Sequence, residues 1–423
     1  MTEGTTTTET NNPIPVTEQY NLKTDHDDMP KSEQAGTGRQ GRVYSTEYGQ
    51  KPGGLQVEDM IFGLKMAHLS CTDDTEGRLA SPGPNTLAAV EHIVGKEDAK
   101  KPLSELLKKH FNLNMDCWID ESGWRHARAV DTQGYIASNE DTIVLSYRFT
   151  TSNMDWMTNL SMTTSEWEPD RDELIGHAGW CSCVDGLYTK YFTERGKPRI
   201  HTGFYNNFVY TIPMIRKYVL EPLLKSDATP KKVYVVGCSL GAAIATCAFC
   251  FILQEMQPSL EKPDFCNHKL INVTAGSPRV CSKQMRDQVM ERMAKLRPLD
   301  RAVICRMVYN HDVVPHMPPN AIGFVHLDKL VYIPIDGHDI LINPHMKETK
   351  SMAEVKTIVG NFRAANNASH PVPDSEDHHP DDDIKTRFEE ECEKTPEPIK
   401  DHMPYWYLTC LERLKQRADA GDV

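Results

Sequence analysis

Ser239 is the residue in this sequence best placed to act as a nucleophile, because it lies at the centre of a G-x-S-x-G segment, residues 237–241. An apolar stretch, residues 233–236, precedes the segment, and a longer apolar stretch, 242–253, follows it. This pattern is typical of a buried strand that turns sharply into a helix and exposes the serine hydroxyl. The N–H of Leu240 would then point at developing negative charge. The main alternative is an ordinary strand–turn–helix junction.

A serine hydroxyl is a weak nucleophile and requires a histidine base, which a carboxylate must orient. Asp312 is the strongest candidate for that acid, since it follows the β-branched stretch that ends near residue 309. The carboxyl ends of parallel strands are where binding sites collect. A simple turn-capping role is the alternative for this aspartate.

Several histidines follow Asp312 and could supply the base: His316, His326, His338, His345, His370, His378, His379 and His402. His316 is too close to the acid to come from a separate loop, while His378 and His379 lie in an acidic tract. His402 opens a final helical pattern among aromatic residues, which would help to fix its ring. We predict His402 as the base and retain His370 as the alternative.

The sequence shows both helical and strand periodicity, and the helices and strands that these patterns predict would position the three residues. Helical patterns begin near Leu55 and recur over residues 86–94 and 103–111, followed by a hairpin whose turn is 138–141 and whose second strand is 142–147. Strands and helices then alternate up to residue 333: helix 203–224, strand 232–236, helix 242–254, strand 268–275, helix 282–295, strand 302–309 and strand 324–333. This alternation predicts the α/β class, with a mostly parallel sheet flanked by helices.

Blocks along residues 130–335, together with the segment at His402, resemble the class 3 (fungal-type) lipases. The blocks that carry the resemblance are 132–136, 143–148, Asp155-Trp156, 200–205, 237–241, 274–280, 312–315 and Pro318-Pro319. The resemblance implies an α/β-hydrolase fold with a movable lid. It also implies a triad of Ser239, Asp312 and His402 acting on acylglycerols or related esters. Thr150 matches the oxyanion residue of the family and would assist Leu240. His201 and Arg279 match supporting positions.

Three features depart from the family pattern. Phe149 replaces a glycine, and if that glycine needs a positive φ, phenylalanine would be strained and the oxyanion hole malformed. Cys238 replaces a histidine inside the elbow, at a position expected to point beneath the sheet. Residues 161–199 are longer than the usual lid segment. Their aromatic residues would either form an apolar cover or pack down as a surface loop.

The chain divides by composition into a polar tail and one domain. Residues 1–54 contain few apolar residues and are predicted to be disordered, and 55–423 form the hydrolase domain. Within it we predict a lid or cap at 161–199 and an acidic, partly disordered insertion at 345–398, in which 352–364 could form one helix. Histidines and carboxylates in this insertion could bind a metal, but a solvated segment is the preferred interpretation.

Charge and composition narrow the range of partners. The formal charge of −13 over 423 residues argues against nucleic acid, which requires a basic field. We expect no signal peptide and no transmembrane segment, and we expect the cysteines to be reduced thiols. Together these expectations predict a cytoplasmic location. The expected partner is a lipid ester, with possible transient contact with a lipid droplet or membrane surface, and the chemistry requires no metal or organic cofactor. The alternatives are an inactive lipase-like binding or interaction module and an esterase for small soluble esters.

Overall fold

The structure is a computed structural model that describes residues 56–72, 84–125, 128–149, 163–169, 197–262, 265–318, 323–327, 330–334, 340–342 and 397–420. Its helices are α1 (Val57–Leu69), α2 (Pro84–Val94), α3 (Leu103–Phe111), α4 (Thr202–Val209), α5 (Ile212–Ile215), α6 (Glu221–Leu224), α7 (Ser239–Leu260), α8 (Lys283–Leu296), α9 (Glu397–Lys400) and α10 (Pro404–Ala420). Its strands are β1 (Asn114–Arg125), β2 (Arg128–Ser138), β3 (Thr142–Tyr147), β4 (Thr164–Glu166), β5 (Arg199–His201), β6 (Lys232–Cys238), β7 (Lys269–Ala275), β8 (Ala302–Tyr309), β9 (Leu330–Ile333) and β10 (Leu341–Ile342).

The main sheet of the described residues has eight strands in the order β1-β2-β3-β6-β7-β8-β9-β10. The five strands from β3 to β9 in this order are parallel, while β1, β2 and β10 pair antiparallel at the two edges. The predicted mostly parallel sheet flanked by helices is confirmed. Since the central strands run in one direction, the residues that follow β6, β7 and β8 all emerge at the same edge.

Apolar residues cover both faces of the sheet, which explains why the central strands read as continuous apolar stretches. Along β6, Tyr234 and Val236 belong to the cluster formed with α1 and α10. Val233 and Val235 belong to the opposite cluster, formed with α4, α7 and α8. The sheet therefore lies between two helical layers.

Helix α7 is the longest helix of the described chain and runs through the second layer. By length and mean hydropathy (1.5) it is the one helix among the described residues that could cross a membrane, yet 83% of its most apolar window is buried inside the protein. Such burial is typical of a core helix. The prediction of a buried helix after Ser239 therefore matches the structure, which extends it to Leu260.

The structure differs from the predicted elements in three places. Strand β1, which pairs with β2 along its length, was not predicted. The predicted helix 203–224 is interrupted, with a π-helical turn at Arg216–Leu220, and proline lies in the first turn of both α5 and α6. Proline lacks the N–H that a continuing helix needs. The predicted strand 324–333 is shorter, because only Leu330–Ile333 pairs with β8.

Several predicted segments lie largely or wholly outside the described residues. These are the tail 1–54, most of the lid segment 161–199, the helix at 352–364 and the insertion 345–398 up to residue 396. The predictions for these segments stay predictions.

Helix α1 is fixed to the sheet by a buried carboxylate. Asp59 is 3% exposed. Its Oδ1 lies 2.9 Å from Nζ of Lys232 and accepts a hydrogen bond of 2.5 Å from the Tyr234 hydroxyl. Both partners belong to β6, the strand that leads to Ser239.

We predict that Asp59→Ala lowers the free energy of unfolding by about 1–3 kcal/mol, because the buried Tyr234 hydroxyl loses its acceptor. Urea denaturation of Asp59→Ala, Tyr234→Phe and the double variant measures the effect. The double variant should lose less than the sum of the single losses, since Tyr234→Phe removes the unsatisfied donor. Strictly additive losses would contradict a stabilising contact between these two side chains.

Candidate active site

Ser239 lies at the sharp junction between β6 and α7. Its φ is +53°, a left-handed conformation that is unusual for a residue other than glycine. A Cβ added to Gly237 would lie 2.3 Å from the backbone of Gly241, and one on Gly241 would lie 2.4 Å from the carbonyl oxygen of Tyr147. Both glycines are therefore required by close backbone approach. The junction thus has the tight geometry that the G-x-S-x-G segment predicts.

The first turn of α7 supplies one of the two predicted oxyanion donors. Leu240 directly follows Ser239 in that turn, where backbone N–H groups lack intrahelical acceptors. The 22-residue helix also concentrates partial positive charge at this end. The second predicted donor, Thr150, lies outside the described residues.

Asp312 lies in the turn after β8 and is fully buried. Its Oδ1 accepts a 2.8 Å hydrogen bond from the backbone N–H of Val314. Its Oδ2 accepts a 2.5 Å bond from the hydroxyl of Tyr407. Both oxygens of the buried carboxylate therefore have hydrogen-bond donors, as buried polar groups require.

The structure brings His402 to Asp312 across a sequence separation of 90 residues. Nδ1 of His402 lies 2.9 Å from Oδ2 and 3.0 Å from Oδ1 of the carboxylate. Because the carboxylate oxygens accept, Nδ1 carries the proton and Nε2 is left with the lone pair that a general base uses. Among the described histidines, His402 is the one bonded to Asp312.

Gly276 makes room for the imidazole of His402. Its φ is +59°, and an added Cβ would lie 2.7 Å from Nδ1 and Cε1 of His402 and 2.8 Å from Oδ2 of Asp312. Gly276 follows Ala275, which pairs in register with Cys238. Gly276 and Ser239 therefore occupy corresponding positions at the ends of neighbouring strands. The imidazole thus covers the end of the strand adjacent to the one that leads to Ser239.

Asp401 connects the segment that carries the histidine to the turn that carries the acid. It is 3% exposed. Its Oδ2 accepts hydrogen bonds from Nδ2 of Asn310, at 2.9 Å, and from the backbone N–H of His311, at 3.1 Å. Asn310 has a φ of +41°, which asparagine tolerates better than most residues. This contact fixes the relative position of Asp312 and His402.

Sequence reasoning missed two residues of this cluster, Asp401 and Tyr407. The aromatic residues after His402 were expected to fix its ring, whereas the Tyr407 hydroxyl contacts the carboxylate instead. The signals available were the adjacent Asp401-His402 pair and the aromatic stretch 405–407. Neither reveals which partner each side chain contacts.

The condition for strain at Phe149, a positive φ, is not met in the structure. The non-glycine residues with positive φ in the described chain are Asn112, Ser239, Asp300 and Asn310, and Phe149 is not among them. Its side chain packs in the core on the α1 face of the sheet. An ordinary backbone conformation accommodates the phenylalanine, so strain at this position gives no reason to expect an inactive protein.

Cys238 lies beneath the sheet edge, as expected. It is buried in the same cluster as Cys71. Burial raises the pKa of the Cys238 thiol, and the nearby thiol of Cys71 and the Asp312 carboxylate add to this effect. The thiol therefore stays protonated at neutral pH and offers no competing nucleophile.

Those remaining candidates that the structure describes have structural contacts. His316 and His326 are buried, and Nε2 of His326 lies 2.9 Å from the carbonyl oxygen of Pro315. His338, His345, His370, His378 and His379 lie outside the described residues. Nδ1 of His201 caps α4 by accepting from two backbone N–H groups, and Arg279 donates to the carbonyl oxygens of His316 and Pro318. His201 and Arg279, which match supporting positions of the family, therefore stabilise the fold around the site.

Within the described part of the chain, no group of three or more histidine, cysteine, aspartate or glutamate side chains could hold a metal ion.

Residues 144–322 match the family described as lipase (class 3). Over this segment the chain is similar to the class 3 lipases. The matched segment includes Ser239 and Asp312 but ends well before His402. The histidine of the cluster therefore comes from sequence that the family match does not cover.

The individual curated relatives of this chain are distant. It is 26% identical over 198 residues to a lipase of Rhizopus niveus, covering 46% of this chain and 40% of that protein. It is 24% identical over 233 residues to the chloroplastic phospholipase A(1) DAD1 of Arabidopsis thaliana, covering 51% and 44%. The chain thus spans less than half the length of these curated relatives.

Solved structures similar to this chain include lipases. A mono- and diacylglycerol lipase from Aspergillus oryzae aligns at 17% identity with a TM-score of 0.45, covering 71% of this chain and 94% of that one. Lipase II from Rhizopus niveus aligns at 20% identity with a TM-score of 0.40, covering 66% and 82%. The predicted α/β class rests on the protein's own mostly parallel sheet between two helical layers.

Burial of His326 predicts a dependence of stability on pH. Burial lowers the pKa of His326 well below its usual value, and the charges of Arg306 and Arg279 add to this effect. In the unfolded chain a histidine titrates near pH 6.5, at about its unperturbed pKa. Between that value and the lower folded value the unfolded state binds more protons, so stability falls as the pH drops.

We therefore predict that His326→Gln reduces the loss of unfolding free energy between pH 7 and pH 5. The glutamine amide does not titrate and can still donate to Pro315. Urea denaturation of wild type and variant at both pH values measures the difference. An equal loss in both proteins would show that His326 does not control this dependence.

Proposed function

We propose that this protein hydrolyses carboxylic esters of lipids through an acyl-enzyme on Ser239. The observation that carries the proposal is the buried Asp312 hydrogen-bonded to His402, whose ring covers Gly276 at the strand end next to the serine. An oriented imidazole beside a serine on a strained turn is the arrangement that activates a hydroxyl.

The proposed reaction has two acyl-transfer steps. Nε2 of His402 takes the Ser239 proton as Oγ attacks the ester carbonyl, and Asp312 stabilises the imidazolium. The N–H of Leu240, together with Thr150, stabilises the oxyanion. The imidazolium returns the proton to the departing alcohol. Water activated by His402 then attacks the acyl-enzyme, and the acid and free serine are released.

The names of the relatives support lipid esters as the substrate class, since they include lipases, a phospholipase A(1) and a mono- and diacylglycerol lipase. We propose acylglycerols or related lipid esters, with transient contact with a lipid droplet or membrane surface.

We also propose a cytoplasmic location. The free thiols of all described cysteines, among them Cys117 and Cys266 outside the core, support it.

Access to the serine must involve movement. Ser239 is 6% exposed, so an acyl chain reaches the hydroxyl only if covering groups move aside. An esterase for small soluble esters is the competing proposal. Activity that rises sharply above the solubility limit of a substrate would favour the lipase, and activity confined to dissolved substrate would favour the esterase.

Single substitutions of the proposed residues test the mechanism on the full chain. We predict that Ser239→Ala and His402→Ala each lower kcat for a p-nitrophenyl ester by at least about 1,000-fold. His370→Ala, a matched histidine substitution, should retain activity. A fluorophosphonate probe should label wild type at Ser239 and should fail to label the Ser239→Ala and His402→Ala variants.

Two outcomes would overturn these assignments. Retained hydrolysis in Ser239→Ala would refute the nucleophile. Inactivation by His370→Ala alone would make His370 the base. Thermal unfolding of each variant separates loss of chemistry from loss of fold. Absence of probe labelling in folded wild type would favour an inactive binding module.

Gly276→Ala provides an independent test of the imidazole position. The new methyl group would overlap the ring of His402 and displace it, and a displacement of about 1 Å can cost about 100-fold in rate. Gly95→Ala is the matched control, because Gly95 also has a positive φ, +85°, but has nothing within 4 Å of the added Cβ. We predict a large fall in kcat for Gly276→Ala, with activity retained in Gly95→Ala. Similar activity in both would contradict the position of His402.

A further inference from the structure

Tyr407 contacts the carboxylate of the proposed triad directly. It belongs to α10, its side chain is 1% exposed, and its hydroxyl donates a 2.5 Å hydrogen bond to Oδ2 of Asp312. Its ring packs against that of Tyr309 at a centroid distance of 5.8 Å. The phenol is thus held in a dry environment, where a hydrogen bond to a charged acceptor is strong.

The same carboxylate oxygen serves both partners. Oδ2 accepts from the Tyr407 hydroxyl and from Nδ1 of His402, at 2.9 Å. Burial, followed by the neighbouring Asp312 charge, raises the pKa of Tyr407 well above its usual value. The phenol therefore keeps its proton throughout the working range and acts as a permanent donor.

We infer that Tyr407 is a positioning residue that fixes the Asp312 carboxylate and limits how strongly it stabilises protonated His402. This inference rests on the proposed function. A donor on Oδ2 withdraws negative charge from the oxygen that faces the imidazole, so less charge is available to the imidazolium. His402 then remains an unprotonated base down to a lower pH than it would beside a carboxylate without this donor.

Other titratable groups near the pair do not account for this effect. Cys238 and Tyr309 face Asp312 and Tyr407, and Cys410, Asp401 and Arg413 in turn face Tyr309. Burial raises the pKa of Cys238 and of Tyr309, so both are neutral at working pH. Cys410 is buried, and Asp401 is occupied by Asn310 and His311. Apart from the Val314 N–H and His402 itself, Tyr407 is therefore the described neighbour that donates a hydrogen bond to Asp312.

The test replaces Tyr407 with phenylalanine in the full chain and measures p-nitrophenyl ester hydrolysis from pH 5 to pH 9. We expect kcat to fall about 10-fold with KM little changed, since one hydrogen bond to a charged group is lost. The acid limb of the pH–rate profile should move to higher pH by about half a unit or more. Tyr405→Phe is the control. Tyr405 lies on the same helix with its ring against His92 and should leave both quantities unchanged.

A second variant is expected to shift the acid limb in the opposite direction. It also keeps the test informative if Tyr407→Phe fails to fold. Incorporation of 3-fluorotyrosine at position 407 preserves the shape of the side chain but makes the phenol a stronger donor. The acid limb should then move to lower pH. An acid limb that stays at the wild-type position in both variants, or that moves in one direction in both, overturns the inference.

A readout without turnover separates this inference from the proposed function. Histidine ring NMR, with His402 assigned from the spectrum of His402→Asn, follows the titration of the imidazole directly. We expect its midpoint to rise in Tyr407→Phe whether or not the protein hydrolyses esters. A shifted midpoint without hydrolysis refutes the proposed function alone, whereas hydrolysis with an unshifted midpoint refutes the role of Tyr407.

Discussion

The site depends on one interaction, the hydrogen bond between the Asp312 carboxylate and His402. The two residues are 90 positions apart, yet both oxygens of the carboxylate lie within 3.0 Å of Nδ1. A fully buried carboxylate is stable only if its oxygens are satisfied, so the fold must deliver every donor. Strand β8 delivers the acid, and the turn after it delivers the Val314 N–H. The chain from Asp401 to α10 delivers the imidazole and the Tyr407 hydroxyl.

Helix α10 must therefore be held firmly against the sheet. Its apolar residues, such as Leu408 and Leu411, join the core cluster on the α1 face. At its exposed side, Glu412 forms an ion pair of 2.7 Å with Lys65 of α1, and its other carboxylate oxygen lies 2.5 Å from Nε2 of His92 of α2. Burial of apolar area supplies the bulk of the stabilisation, and the half-exposed ion pairs contribute little but fix the orientation. The same packing that completes the hydrophobic layer thus places Tyr407 on the triad acid.

The sequence predicts the sheet and the serine turn well because both depend on local patterns. Residues 233–241 contain the apolar strand, the two obligatory glycines and the start of the apolar helix in one continuous stretch. Asp312 follows from the same logic, because a residue after a buried parallel strand must reach the carboxyl edge. Strand β1 was missed because its sequence, Asn114–Arg125, alternates little and derives its stability from pairing with β2. The roles of Asp401, Gly276 and Tyr407 depend on contacts across 36 to 126 positions, which no local pattern encodes.

The contact of Asp401 with Asn310 explains how the site tolerates so long a separation between acid and base. For a flexible connection, each doubling of length adds only about 0.6 kcal/mol to the cost of bringing its ends together. That cost is modest, but a long connection does not specify where its end must lie. The two hydrogen bonds that the buried Asp401 carboxylate accepts specify this position. They form only when Asp401, the residue before His402, reaches Asn310 and His311 in the turn before Asp312. The chain between the two anchors can therefore vary in length and composition without moving the imidazole, provided that the anchors and the helix that follows them are kept.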